Sequence, residues 1–135
     1  DCALLEVVRF QQNRLTGSMS GIFSNHLFLR NIDVSDNRLS GRVPSEAFQL
    51  PSLLTIVLTD NCFHGELPAS LCDPSNVTVL SLDGLGAARH CRHAVRVPLT
   101  GVILDNTLSG TIPECVWKLP LLQVLHLTGN GESVS

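Results

Sequence analysis

Apolar residues recur along this chain in triads whose members are three and then two positions apart. The triads are Leu5, Val8 and Phe10; Leu29, Ile32 and Val34; Leu53, Ile56 and Leu58; Val77, Leu80 and Leu82; and Leu122, Leu125 and Leu127. The alternating end of each triad predicts a short strand with one buried and one open face. An Asn recurs behind the triads, as Asn13, Asn37 and Asn61 and again as Asn106 and Asn130, in equal steps within each set. Small residues and proline follow: Leu15-Thr16-Gly17, then Leu39-Ser40-Gly41 with Val43-Pro44, Gly65 with Leu67-Pro68, and Leu108-Ser109-Gly110 with Ile112-Pro113. Proline holds φ at about −65° and has no amide hydrogen, so each return segment is biased away from α-helix toward extended backbone.

The pattern L-x-x-L-x-L-x-x-N, repeated at a stride of about 24 residues, is the signature of a leucine-rich repeat. It predicts an α/β-type solenoid, a right-handed superhelix with a concave parallel β-sheet. The convex segments are predicted to be mostly non-helical: extended, polyproline-like or 3-10. Five repeats and the front half of a sixth account for residues 1–135 as a single array. A solenoid needs a polar cap at each end; none is evident, which predicts a fragment of a longer array. The recurring Asn offers two donors and an acceptor to backbone groups of the turn after each strand, a structural ladder in preference to a set of ligand contacts. The fourth repeat departs from the rule. Leu85 stands at the Asn position, Asn106 follows after a shortened step, and the intervening GLGAARHCRHAVRVP has neither Leu-Ser-Gly nor Ile-Pro. A shorter return loop is predicted there, then a weaker fifth strand around Gly101 and Ile103, with Trp117 packing on the convex side.

Composition narrows the function. A 44% hydrophobic chain with a net charge of −3 and scattered Lys and Arg lacks the basic footprint of nucleic-acid binding. No apolar run approaches the roughly 18 residues of a membrane span, so membrane attachment is expected only through missing flanking segments. No nucleophile elbow, phosphate loop or Cys–His dyad is present, so neither an enzyme nor a cofactor is expected. His90-Cys91-Arg92-His93 lacks the second ligand pair of a zinc site, so no metal is expected either. The cysteines are Cys2, Cys62, Cys72, Cys91 and Cys115. Cys72 and Cys91 bracket the irregular fourth strand and are the favoured bridge, over a competing Cys91–Cys115 pairing. Closing that loop is worth roughly 3 kcal/mol in the chain-entropy model. Asn76-Val77-Thr78 is an N-glycosylation sequon.

The Leu-Ser-Gly-x-Ile-Pro segment resembles the plant-type leucine-rich repeats of extracellular receptor domains. Residues Asn76 to Arg92 and Gly110 to Gly131 are similar to the leucine-rich surface antigens and proteophosphoglycans of Leishmania-like kinetoplastid protozoa. That second resemblance implies display on the cell surface or secretion, with a role in adhesion and recognition. The expected function is a non-catalytic extracellular or cell-surface module that binds a protein or peptide on its concave sheet. The alternatives are the extracellular domain of a plant-type leucine-rich repeat receptor and a structural spacer of a surface coat.

Because strand residues alternate faces, the unspecified positions of each repeat should form the open concave surface. Its candidate contact residues are Arg9, Gln11, Asp33, Ser35, Asp36, Val57, Thr59, Asp60, Ser81, Asp83, Val102, Leu104, Asp105 and His126. With strands about 4.8 Å apart the sheet spans roughly 25 Å, which suits a peptide or a protein edge. Asp36, Asp60 and Asp105 repeat at one position, Asp33 and Asp83 lie nearby, and Val57, Val102 and Leu104 supply an apolar strip between them. The pattern fits a ligand with a basic and an apolar component; alternatively, these Asp residues satisfy turn amides.

Overall fold

The computed structural model describes the chain except residues 1, 74, 75, 84–90, 92, 93, 98–100, 105–107, 110 and 128–135, and only the backbone of strands 94–97, 101–104 and 108–109. The first coils contribute β1 (Val7–Arg9), β2 (Thr16–Ser18), β3 (Asn31–Asp33) and β4 (Arg38–Gly41). They are followed by β5 (Thr55–Val57), β6 (Cys62–Phe63), β7 (Gly65–Glu66) and β8 (Val79–Ser81). The remainder are β9 (Ala94–Val97), β10 (Gly101–Leu104), β11 (Leu108–Ser109) and β12 (Val124–His126). One strand from each coil joins a five-stranded parallel sheet in the order β1-β3-β5-β8-β12. A second parallel sheet, β2-β4-β6, runs beside it. The returns are 3-10 turns at Ser45–Gln49, Ala69–Cys72 and Glu114–Lys118, each preceded by a proline in extended or near-extended conformation. The chain is thus a leucine-rich repeat solenoid, and it contains no α-helix among the described residues.

The triads form the core. Ile32, Ile56 and Leu80 stack in register along the sheet, and Leu29, Leu53, Val34, Leu58 and Leu82 flank them, all essentially sealed from water. Full burial of each such side chain contributes about 1.5–3 kcal/mol. The Asn ladder performs the structural task expected of it. Asn37 Nδ2 donates to the Phe10 and Val34 carbonyls (2.7 and 3.0 Å), and its Oδ1 accepts from the Leu15 amide (3.0 Å). Asn61 repeats the arrangement with Val34, Leu58 and the Leu39 amide (2.9, 3.0 and 3.0 Å). Each amide therefore ties its own coil to the preceding one. Asn106 and Asn130 lie outside the described residues.

Three expectations are corrected. Gly101–Leu104 does not join the concave sheet but pairs antiparallel with Ala94–Val97. Its place beside β8 is taken by β12, where Val79 faces Val124, almost two strides on; Thr55 faces Val79, a single stride on. The surplus, nearly a whole further coil of chain, shows that the fourth coil carries an insertion in place of a shorter return loop. β11 leads back into that coil, pairing parallel with β7.

The Cys72–Cys91 bridge is replaced by Cys62–Cys91 and Cys72–Cys115, with Cα atoms 5.2 and 5.4 Å apart. Cys62 lies in the lateral sheet directly after ladder Asn61, whereas Cys72 lies in a convex 3-10 turn stacked on the turn that contains Cys115. Cys72 and Cys91 thus belong to different sides of the coil, and each finds its partner in a neighbouring segment on its own side.

Finally, Phe10 and Trp117 are exposed at 53% and 67%, although the repeat pattern predicts that both pack. Phe48, at the corresponding place in its 3-10 turn to Trp117, is buried because coils flank it on both sides.

Candidate functional site

The open face of the five-stranded sheet is built by register. Val7, Asn31, Thr55, Val79 and Val124 form one row across the coils. Arg9, Asp33, Val57, Ser81 and His126 form the next. Gln11, Ser35, Thr59 and Asp83 stand two residues further along their coils, so the predicted contacts of four coils do share one face. Apart from buried Ser81, the described members of this face from the second coil to the fourth are half-buried.

Local hydrogen bonds order several of these tips. Asp33 Oδ1 accepts from the Ser35 hydroxyl (2.7 Å) and amide (3.1 Å), which holds the carboxylate over the sheet. The Thr59 and Ser81 hydroxyls lie 2.9 Å apart, bridging the third and fourth coils. His126 Nδ1 is 3.6 Å from Asp83 Oδ2, joining the fourth and fifth. At the rim, Arg30 Nε approaches Glu6 Oε2 at 3.8 Å between two exposed side chains, a solvated pair of small energetic weight.

Asp36 and Asp60 line one edge of the face, exposed, together with Gln12 at the corresponding position. All three have left-handed backbone, with φ of 53°, 52° and 58°. Asp tolerates that conformation better than most residues, which gives a backbone reason for its recurrence. The turn-amide alternative therefore holds for Asp33, which accepts from the Ser35 amide, whereas the Asp36 and Asp60 carboxylates bond no turn amide among the described residues.

Val102 and Leu104 leave the site, since β10 is not a strand of this sheet, and Asp105 lies outside the described residues. The apolar strip is instead supplied by Val57 with Val7, Val79 and Val124. The repeat stride alone places Val79 and Val124 on the open face. It also finds Val7, which the candidate residues omit although it stands one stride before Asn31. The Asp83–His126 contact was not legible, because the insertion obscures which coil stacks on the fourth.

Among the described residues no group of three or more His, Cys, Asp or Glu side chains could hold a metal ion, and Cys91 of the His-Cys-Arg-His stretch is bonded to Cys62. An apolar hollow of about 290 Å³ lies away from the concave face, between Leu5, Phe10, Met19, Ile22 and Phe23 of the first coil. The geometry is that of an open sheet surface, suited to contact over several coils.

Comparison with known proteins agrees with this class. The Leucine Rich Repeat family profile matches residues 28–50. Receptor-like protein 32 of Arabidopsis thaliana is 30% identical over 113 residues, 76% of this chain and 13% of its own length. Cuscuta receptor 1 of Solanum lycopersicum is 33% identical over 108 residues, 80% of this chain and 8% of its own length. The chain therefore spans only a small part of the curated relatives it matches. Among solved structures, the plant peptide hormone receptor RGFR1 in complex with RGF2 superposes with a TM-score of 0.73 at 30% identity, covering 93% of this chain and 17% of that one. These relatives bear out the plant-type resemblance; the kinetoplastid surface-antigen resemblance finds no support among them.

Proposed function

We propose that this chain is part of the extracellular ectodomain of a plant-type leucine-rich repeat receptor, and that it recognises a peptide or protein on its concave sheet without catalysis. The observation that carries this reading is the sheet itself. Five parallel strands in register present rows of mixed polar and apolar side chains, half-buried or exposed among the described residues save Ser81, over a width that fits an extended chain. The peptide hormone receptor RGFR1, solved in complex with RGF2, shares this fold over 93% of the chain. Two disulfides and the exposed Asn76 sequon support an oxidising, secretory location.

The test replaces Asp33 by Lys and Val57 by Glu together. Peptides selected from a random phage-displayed library on the wild-type chain should lose binding to this variant while its melting temperature stays nearly unchanged. Peptides that bind both proteins equally would move the site to the convex turns.

A further inference from the structure

The charge order along the concave face says what kind of peptide fits it. Asp33, Asp36, Asp60 and Asp83 all stand on or beside the rows of the second to fourth coils, Asp83 with His126 of the fifth at 3.6 Å from one of its two oxygens, whereas Arg9 of the first coil is the one Lys or Arg in the described rows. The Asp33 carboxylate is held by Ser35, which engages Oδ1 and not Oδ2. Val57 stands in the strand between Asp33 and Ser81, and Asp83 follows Ser81 by two residues. Acid, valine and acid are thus met in turn by a chain crossing the sheet from the second coil to the fourth.

Resting on the concave reading above, we propose that the occupant is an extended peptide with two basic side chains four residues apart and an apolar side chain midway between them. The spacing follows from the sheet. Asp33 and Asp83 are two strands apart, about 9.6 Å, and two residues apart along the strand direction, about 6.6 Å, so the diagonal is about 12 Å. An extended backbone advances about 3.3 Å per residue and returns every second side chain to the same face, so four residues, about 13 Å, cover that distance with both basic side chains and the one midway between them facing the sheet. The apolar side chain then lies over Val57, whose half-buried position offers contact area with little polar surface to desolvate. Arg9 repels a further basic residue on the first coil, which sets the register of the pair on the later coils.

Isothermal titration calorimetry decides this with a capped peptide, acetyl-Ser-Lys-Thr-Leu-Thr-Lys-Ser-amide, whose threonines favour the extended backbone, and two controls. One control has both Lys replaced by Glu; the other keeps the composition but places the two Lys side by side at one end. The first peptide should bind, with each control about tenfold weaker or worse. Asp33→Asn and Asp83→Asn should each weaken it several-fold. Asn keeps the acceptor that Ser35 uses, and unchanged circular dichroism will show that the fold stands. Raising salt from about 50 to about 500 mM should weaken binding further, because exposed charge pairs are screened.

Equal affinity for the Glu peptide, no binding of the Lys peptide, or indifference to both Asp substitutions would overturn the proposal. Val57→Arg separates the two levels of inference. If it abolishes binding of a peptide that ignores Asp33 and Asp83, the concave site stands and the basic ligand falls; if binding of every peptide survives Val57→Arg, both fall.

Discussion

Replacing Asn61 by Ala tests the account of how successive coils are held together. Asn61 is completely buried, and its side chain donates to the Val34 and Leu58 carbonyls and accepts from the Leu39 amide. The Val34 carbonyl keeps a second donor in Asn37 Nδ2, so the truncation strands chiefly the Leu39 amide and the Leu58 carbonyl. A buried donor or acceptor left unpaired costs about 1–3 kcal/mol, so the two together with the small void give about 3–4 kcal/mol. Asn13, in the coil of edge strand β1, is exposed and its side chain donates to the nearby Phe10 and Gln11 carbonyls, which water can serve instead. Asn13→Ala should therefore cost less than about 1 kcal/mol, with Asn37→Ala between the two. Asn61→Asp is a sharper probe. It retains the acceptor for Leu39 but turns the donor toward three carbonyls into a second acceptor, so it should rescue little of the loss. Urea unfolding followed by circular dichroism reads all four variants. Equal losses at positions 13 and 61, or recovery by Asp, would refute the claim that the amide ladder works by satisfying buried backbone groups.

The remaining predictions are as direct. Gly41 has φ of +88°, and a Cβ there would lie 3.0 Å from Ser18 Oγ, so Gly41→Ala should lose about 1–3 kcal/mol in urea unfolding; no loss would contradict the turn geometry. Non-reducing peptide mapping should recover Cys62 with Cys91 and Cys72 with Cys115, and recovery of Cys72 with Cys91 would restore the pairing read from sequence. The Cys62–Cys91 bridge has a sequence separation of 29, so Cys91→Ser should remove about 3.5 kcal/mol in the chain-entropy model, read by urea unfolding. Expressed through a secretory pathway, the chain should carry a glycan on the exposed Asn76, and mass spectrometry finding that residue bare would refute this.

The division between what was legible in the residues and what was not follows from how a solenoid is built. Each coil touches only its neighbours, so the demands on one coil are local and recur at a fixed stride. The core rows of Ile32, Ile56 and Leu80, the ladder of Asn37 and Asn61, the proline-led 3-10 turns and the identity of the open face were all present in that stride. What a local pattern does not contain is which segment stacks on which. Gly101 and Ile103 have the spacing of a weak repeat strand, yet their segment pairs with Ala94–Val97 because β12, far beyond β8 in the chain, brings a complete triad to the same sheet edge. Leu122, Leu125 and Leu127 offer three apolar contacts to the core, whereas glycine at position 101 offers none. The cysteine pairings depend on that stacking: Cys115 reaches Cys72 because β12 pairs with β8 and the two convex turns become neighbours. The residues alone therefore determined the coil and its open face, through short-range periodic packing. The tertiary structure decided the order of stacking, the disulfides and the meeting of Asp83 with His126, because those depend on contacts between segments far apart in the chain.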